Sequence, residues 1–538
     1  MTIASKETVK KILGEIPLTA ELYWLVRQHG KPIKTRFSLR HLEEHLPVLL
    51  PQVKELRKDK PAGKNIFIFS TLHYWIEHTS LLGLGFSAMG NNVTLGYLPY
   101  GDWFTPTNRF DLRRQNAYAR ELLGNLEPYV HPVSFLSRRT LLVNLPSELE
   151  KIVEEISVFD YQYTLQTEQI DRQSTLFKLR LHRNMEAARA AYFWLRQRRP
   201  EVVVMPNGTV QEFGVVYRIA RAMKIPVVTY EFSDQRQTIW LAQNSEIMHQ
   251  DTDDFWEAFG TKKLVPAEKE RIHGMYDARQ KGELWENFTR RWQQTPTIGK
   301  DEVRQALNLD DRPVVVLATN VLGDSLTLGR EVFSRTMSEW VVRTVQYFLG
   351  RPGVQLVVRI HPGEIYTKTG SMMDVIREML PDLPEHIRIV APTDPVNTYD
   401  LVHIANFGLV YTTTVGMEMA MLGLPVIVSG QTHYRNRGFT NDPESWVAYF
   451  KMLGAALERP EEFKLSPEQI EKAWQYAYRF FFDFPRPFPW HLHVWEHFQE
   501  DTFRQAFQPD QWQNFGPTFQ ALTGDRIDWD AIANSASK

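Results

Sequence analysis

Residues 408–430 read GLVYTTTVGMEMAMLGLPVIVSG, an almost uninterrupted apolar run. On length alone it matches a membrane-spanning helix, which needs roughly 20 apolar residues. Its internal punctuation excludes that reading. Thr412, Thr413 and Thr414 are followed by Gly416, and Gly423 and Pro425 close the run. Proline at 425 breaks a helix and pushes the preceding residue toward extended geometry. The parse that satisfies these constraints is strand (FGLVY), short helix (VGMEMAMLG, with a threonine as N-cap and Gly423 at the C-terminal end), then strand (PVIVSG). Buried parallel strands read as continuous apolar runs of this kind.

That parse isolates Glu418, one carboxylate inside an apolar helix. A capping box would need Ser or Thr three residues earlier, where Val415 stands. Glu418 therefore sits one turn beyond the threonines, at a helix start whose free N–H groups and dipole suit an anion. Phosphate at the threonines and a hydroxylated sugar at Glu418 is the pattern of a nucleotide site.

The chain has 538 residues, which predicts two domains rather than one. A net charge of −2 gives no electrostatic basis for nucleic-acid binding. The absence of cysteine excludes disulfides, thiol catalysis and Cys-ligated zinc. The N-terminal MTIASKETVKKILGEIPL lacks the apolar centre of a signal peptide, so a cytoplasmic protein is expected.

Strand and helix patterns alternate along the chain. NIFIFS (65–70), NVTLGYLP (92–99), EVVVMPNG (201–208) and IPVVTYEF (225–232) read as buried strands, with helices at 74–90 and 211–224. Residues 110–200 read as long polar helices. After a polar, Trp-rich stretch the alternation restarts with RPVVVLATN, a helix over 331–350, VQLVVRIHP, HIRIVAP and FGLVY. Alternation of this type predicts parallel sheets with crossover helices. Two such units in series give an α/β chain of two Rossmann-like domains facing a cleft, a GT-B-like outline. The expected division is 1–300 (acceptor side, with helical insertions), 301–460 (nucleotide-sugar side) and a helical tail, 461–538, packing back on the first domain.

Ligands of open parallel sheets bind at the carboxyl ends of strands. The loops there carry Asp324 and Ser325, His361 and Glu364, the threonines, and SGQTHYRNRGFT. None is a Walker A loop or GxGxxG. The ordered set GDS (323–325), RIHP (359–362), TTTVGMEMAMLGLPVIVSG (412–430) and HYRNRGFT (433–440) resembles the bacterial capsule polysaccharide biosynthesis glycosyltransferases, including those that build a 3-deoxy-manno-octulosonic acid (Kdo) linker. The likeness is clear over 313–440 and weaker over 206–232. It departs in placing Arg359 one position before the usual base and threonine where serine is common. It implies a nucleotide-sugar donor, CMP- or UDP-linked, with Asp324 and Ser325 beside it, His361 on the nucleotide or its phosphate, Thr412, Thr413 and Thr414 on phosphate oxygens, Glu418 on the ribose, and Tyr434 and Arg437 nearby. It implies a saccharide or lipid-linked acceptor and no bound cofactor.

Transfer to a hydroxyl profits from a general base on the facing domain, unless the leaving phosphate takes the proton. STLHYWIEH (70–78) offers His73, Glu77 and His78; PNGTVQE offers Asn207, Gln211 and Glu212; YEFSD offers Glu231 and Asp234. Glu231 and His73 are the chosen pair, since each follows a buried strand. His493 and His497 have the i, i+4 spacing of two metal ligands but lack HExxH order, so no metal is expected. The aromatic run RFFFDFPRPFPW either packs the tail against the first domain or meets a membrane surface; its prolines favour packing. A glycerophosphotransferase, a sugar-nucleotide epimerase and a non-catalytic scaffold in polysaccharide assembly are the alternative functions.

Overall fold

The structure, a computed structural model, describes residues 3–29, 37–288, 295–367, 369–490 and 507–535. His493 and His497 lie outside the described residues. Among the described residues, twelve strands form two sheets. The first contains β1 (Asn65–Thr71), β2 (Asn92–Leu98), β3 (Val130–Ser134), β4 (Val202–Pro206), β5 (Val227–Phe232), β6 (Thr238–Gln243) and, from the tail, β12 (Arg486–Pro487), in the order β12-β6-β5-β4-β1-β2-β3. β1 to β5 are parallel; β6 and β12 are antiparallel additions. The second contains β7 (Val314–Ala318), β8 (Gln355–Arg359), β9 (Ile387–Val390), β10 (Phe407–Val410) and β11 (Val426–Val428), all parallel, in the order β11-β10-β7-β8-β9.

Counted within each sheet, the parallel strands run 3-2-1-4-5. The order therefore reverses between β1 and β4 and between β7 and β10, the switch points at which α/β sheets bind ligands. This is the GT-B-like pair of Rossmann-like domains expected from the sequence.

Both faces of the second sheet are covered, as its unbroken apolar strands require. Val314, Val316 and Ala318 enter one buried cluster, Val315 and Leu317 the other. The period-two alternation of a strand thus divides VVVLA between two cores. In the 408–430 run, β10 leads into the helix Val415–Met421 and then β11. Thr414 is the N-cap with no side-chain capping bond, and Gly423 adopts φ 79° just past the helix, where Leu424 N–H returns to the Met419 carbonyl. Among the described residues no helix is long and apolar enough to cross a membrane.

Three features differ from the sequence reading. The helices Asp253–Phe259 and Pro266–Lys281, placed in the first domain by the 1–300 division, bury Phe255, Phe259, Ile272, Met275 and Tyr276 in the second domain's core. Their polar outer faces conceal that allegiance. The helix expected from 331 begins at Met337, because Arg330 is pinned to the Met248 and His249 carbonyls and Thr336 caps the helix through Glu339 N–H (3.0 Å). The tail divides its contacts. Pro467–Tyr478 packs into the second core, whereas β12 pairs with β6, and Phe488 and Trp490 are buried in the first. Trp490 donates its indole N–H to His78 Nδ1 (2.7 Å).

The domains meet beside the cleft. The first-domain helix Ser147–Leu165 runs up to the loop that carries Gly323 at φ 66°; a Cβ on Gly323 would lie 2.3 Å from the Gln162 carbonyl oxygen, so only glycine fits. Glu168 then accepts the Met337 and Ser338 N–H groups (3.0 Å each), capping a second-domain helix from the first domain.

Candidate functional site between the two sheets

The carboxyl ends of both sheets open onto an interdomain cavity of about 810 Å³. Asp234, Trp240 and Gln250 line it on one side; Asp324, Arg359, His361 and Thr412–Thr414 line it on the other, with Phe480 and Phe481 of the tail. A smaller pocket beneath it reaches past Thr413 and Thr414 to Tyr399 and Glu418.

On the second-domain wall, Arg359 and His361 are two residues apart at the end of β8 and so share a face. Arg359 is buried, donates to the Ala391 carbonyl (2.7 Å), and is brought down to about 10 by burial, with Asp394 opposing. His361 N–H donates to Thr319 Oγ1 (3.0 Å), and its Nδ1 accepts Gly363 N–H (3.0 Å). That acceptance fixes the proton of the neutral ring on Nε2. Asp324 Oδ1 accepts Leu326 N–H (3.0 Å), so it caps its turn while lining the cavity. The Thr412 hydroxyl is committed to the Leu326 carbonyl (3.1 Å). Those of Thr413 and Thr414, one residue on, border both cavities.

Glu418 is buried and doubly held: Arg279 donates to Oε1 and Tyr399 O–H to Oε2 (2.9 Å). Arg279 is itself buried over the Phe481 ring (4.4 Å). A ribose at Glu418 thus meets a carboxylate already neutralised, an anchor for the pocket floor. Tyr434 is a correction to the sequence reading. It is fully buried and donates to the Thr413 carbonyl (2.6 Å), propping the threonine loop from behind. Arg437 is a second correction: it turns away to Asp253 (2.5 Å) and Thr252 (2.9 Å). Ser325 is a third; it bonds Asp324 (3.3 Å) and is not on the cavity wall. In each case a polar residue close in sequence to the site is consumed by a local backbone or ion-pair need.

On the first-domain side, most candidates for a base are already engaged by other groups. Glu77 accepts the His41 and Leu42 N–H groups (3.0 and 3.2 Å), capping the helix Arg40–Arg57. His78 is held between Tyr230 and Trp490, and Glu212 pairs with buried Arg180 (2.9 Å). His73 is pushed down by burial, packs beside Phe37 and bonds the Gly101 backbone; it does not reach the cavity wall. Glu231, like His73, is not one of the residues lining the cavity, but its surroundings differ from those of the other candidates. Among the described residues no cation stands beside it, and burial pushes its carboxyl up to about 7, against hydrogen bonds from Phe232 N–H and the Asn207 side chain. Tyr163 is raised to about 12, chiefly by burial, with the charges of Asp324, Glu231 and Asp160 adding to the shift. The loops around Glu231 are strained: Leu72 sits at φ 65°, ψ 140°, and Asn207 at φ 58°. Such backbone concentrates where function over-determines it.

Sequence reasoning missed Tyr399, which lines the pocket beneath the cleft, Arg279, which holds Glu418 there, and Glu168, which caps a second-domain helix; none carries a local signal. Arg359 was legible from its period-two relation to His361.

No protein-family model and no curated protein matches the chain. Solved structures that resemble it include the beta Kdo 2,4 transferase of Thermosulfurimonas dismutans KpsC, at 16% identity over 51% of this chain and 79% of that one with a TM-score of 0.34. The beta Kdo 2,7 transferase of the same protein shows 15% identity over 56% and 87%, with a TM-score of 0.31. A UDP-GlcNAc 2-epimerase from Neisseria meningitidis, bound to UDP-GlcNAc, shows 11% identity over 78% and 99%, with a TM-score of 0.26.

Proposed function

We propose that this chain is a glycosyltransferase that moves a sugar from a nucleotide donor to a saccharide or lipid-linked acceptor in the synthesis of a capsule-like surface polysaccharide. The observation that carries the reading is the asymmetry of the cleft. Its second-domain wall gathers a buried guanidinium, an imidazole and two threonine hydroxyls, the groups that recognise phosphate. Asp234 lines its first-domain side, and three residues before it the Glu231 carboxyl is raised to about 7 by desolvation with no cation beside it among the described residues, the property of a base that works near neutral pH. The ordered motifs around Asp324, His361 and Thr412–Thr414 support the capsule class and a CMP- or UDP-linked donor.

In this scheme Arg359, His361, Thr413 and Thr414 hold the donor phosphates, and Glu418 with Arg279 and Tyr399 forms the floor beneath the nucleoside. Asp324 borders the sugar. Glu231 takes the proton of the acceptor hydroxyl as its oxygen forms a bond to the anomeric carbon. The nucleotide leaves with the bonding electrons, its charge met by Arg359. Phosphate neutralisation by basic side chains removes the need for a resident metal, and activity is expected to persist in excess EDTA; complete loss restored by one divalent ion overturns that part.

A thermal-shift panel of CMP, UDP, GDP and dTDP tests the donor assignment. A ligand that binds only the native state raises the melting temperature with its concentration. CMP or UDP should shift the wild type and much less a variant carrying Arg359→Gln. No shift by any nucleotide removes the reading. Conversion of a nucleotide sugar without any acceptor would replace transfer by epimerisation.

A further inference from the structure

The first domain holds a second cavity, of about 950 Å³, that shares no lining residue with the interdomain cleft. It follows the outer strand β3, whose residues 131–134 form one wall, and faces Arg120, Arg183, Arg198 and Trp194. A smaller cavity of about 240 Å³ continues it past His131 and Arg198, which line both, to Asn65 and Asn92 at the amino ends of β1 and β2. At its other end it reaches Tyr100 and Pro106, beyond the carboxyl end of β2. The groove thus runs the length of the sheet edge and leads away from the edge that carries Leu72 and His73.

Its charge is distinctive in a chain of net charge −2. Arg109 and Arg113 are paired with Glu15 and Glu21. Arg120, Arg183 and Arg198 make no salt bridge among the described residues, while Glu21 also feels the charge of Arg120, and Glu186, the remaining carboxylate of the lining, accepts the Tyr100 hydroxyl (3.1 Å). Arg183 is held in place by the Asp102 and Thr105 carbonyls (2.7 and 2.8 Å) and lies 4.1 Å over the Tyr100 ring. Arg198 lies 5.6 Å over the Trp194 ring. Guanidinium groups interleaved with aromatic faces fit a ligand that alternates carboxylates with flat ring faces. An added peptide strand does not fit, because Pro132 lacks the N–H needed at the centre of the edge.

We propose that this groove binds an extended acidic saccharide, its carboxylates on Arg120 and Arg198 and one ring on Trp194. The saccharide class rests on the glycosyl-transfer reading; the preference for an extended anion rests on the groove alone.

The test is calorimetric titration of the full chain with a heparin-derived hexasaccharide, maltohexaose as its neutral counterpart, and hexathymidylate as a non-saccharide polyanion. The acidic hexasaccharide should bind and maltohexaose should not. Arg120→Ala with Arg198→Ala should weaken that binding about tenfold or more, with unchanged melting temperature and unchanged thermal shift by nucleotide. Unaltered affinity in the double variant overturns the proposal. So does hexathymidylate binding as tightly and weakening equally, which would make the groove an unspecific basic patch. Failure of nucleotide-sugar turnover, with groove binding intact, removes the transfer reading and leaves the anion site standing.

Discussion

Two carboxylates near the cleft, buried Glu418 of the second domain and half-buried Glu231 of the first, are treated oppositely. Glu418 of the second domain is neutralised by Arg279 and bonded by Tyr399. Glu231 of the first has no cationic partner among the described residues and is pushed up to about 7. Burying an ion is tolerable when it is paired and hydrogen-bonded; left unpaired, it shifts its pKa instead. The pair at Glu418 therefore builds a fixed wall, and the isolation of Glu231 leaves a group that exchanges a proton near neutrality. The comparison separates a residue that shapes a site from one that works in it.

The largest expected effect tests the working half. Glu231→Gln should lower turnover by about 100- to 10,000-fold while leaving nucleotide affinity nearly unchanged, since the donor is held by the other domain. In the wild type, kcat/KM should rise with pH through an inflection near 7, because the base must be deprotonated. Steady-state rates across pH 5–9, beside nucleotide calorimetry, measure both. Near-normal turnover would move the base to Asp234, the first-domain carboxylate that lines the cavity, or to the leaving phosphate.

Next comes the structural half. Arg279→Met strands Glu418 as a buried uncompensated charge and should destabilise the chain by about 3–5 kcal/mol. Adding Glu418→Leu should recover much of that loss. Urea unfolding of the single and double variants decides it; a loss under about 1 kcal/mol for the single variant would mean that water reaches Glu418 and that the contrast with Glu231 is false.

The third prediction reverses the sign. The folded-state pKa of Glu231 is raised above its unfolded value, so the folded chain binds more protons between about 4.5 and 7, and stability falls as pH rises across that window. Removing the carboxylate should relieve this. Glu231→Gln should be more stable than the wild type at pH 8, by up to about 3 kcal/mol, and equal to it near pH 4. A variant that is inactive and also less stable at pH 8 would mark Glu231 as structural.

The smallest effect concerns the threonines. Thr413→Val should weaken nucleotide binding by about 0.5–1.5 kcal/mol, the worth of one hydrogen bond, whereas Thr412→Val should lower stability instead because its hydroxyl serves Leu326. Identical behaviour of the two would show that the loop does not divide its hydroxyls between site and scaffold.

Much of this architecture is legible in the chain itself. The runs NIFIFS, EVVVMPNG, RPVVVLATN and FGLVY specify buried parallel strands because continuous apolar sequence, bounded by turn residues, has no other economical burial. Pro425 and Gly423 cut the 408–430 run into strand, helix and strand, since neither continues a helix. Strand-end position then points to Asp324, His361, Thr412–Thr414 and Glu231, because the backbone alone sets where a parallel strand ends.

Tertiary structure decided the rest, for a reason of range. Local pattern reports which face of an element is apolar, not what meets its polar atoms. Tyr434, Arg437 and Ser325 read as site residues, yet the fold spends them on Thr413, Asp253 and Asp324. Glu418 reads as an open carboxylate, yet Arg279 reaches it from 139 residues away. The burial that lifts Glu231, the cap that Glu168 places on another domain's helix, and the arginines that gather along β3 likewise arise only where distant segments meet. Charge and desolvation depend on distance in space, and a sequence records only distance along the chain.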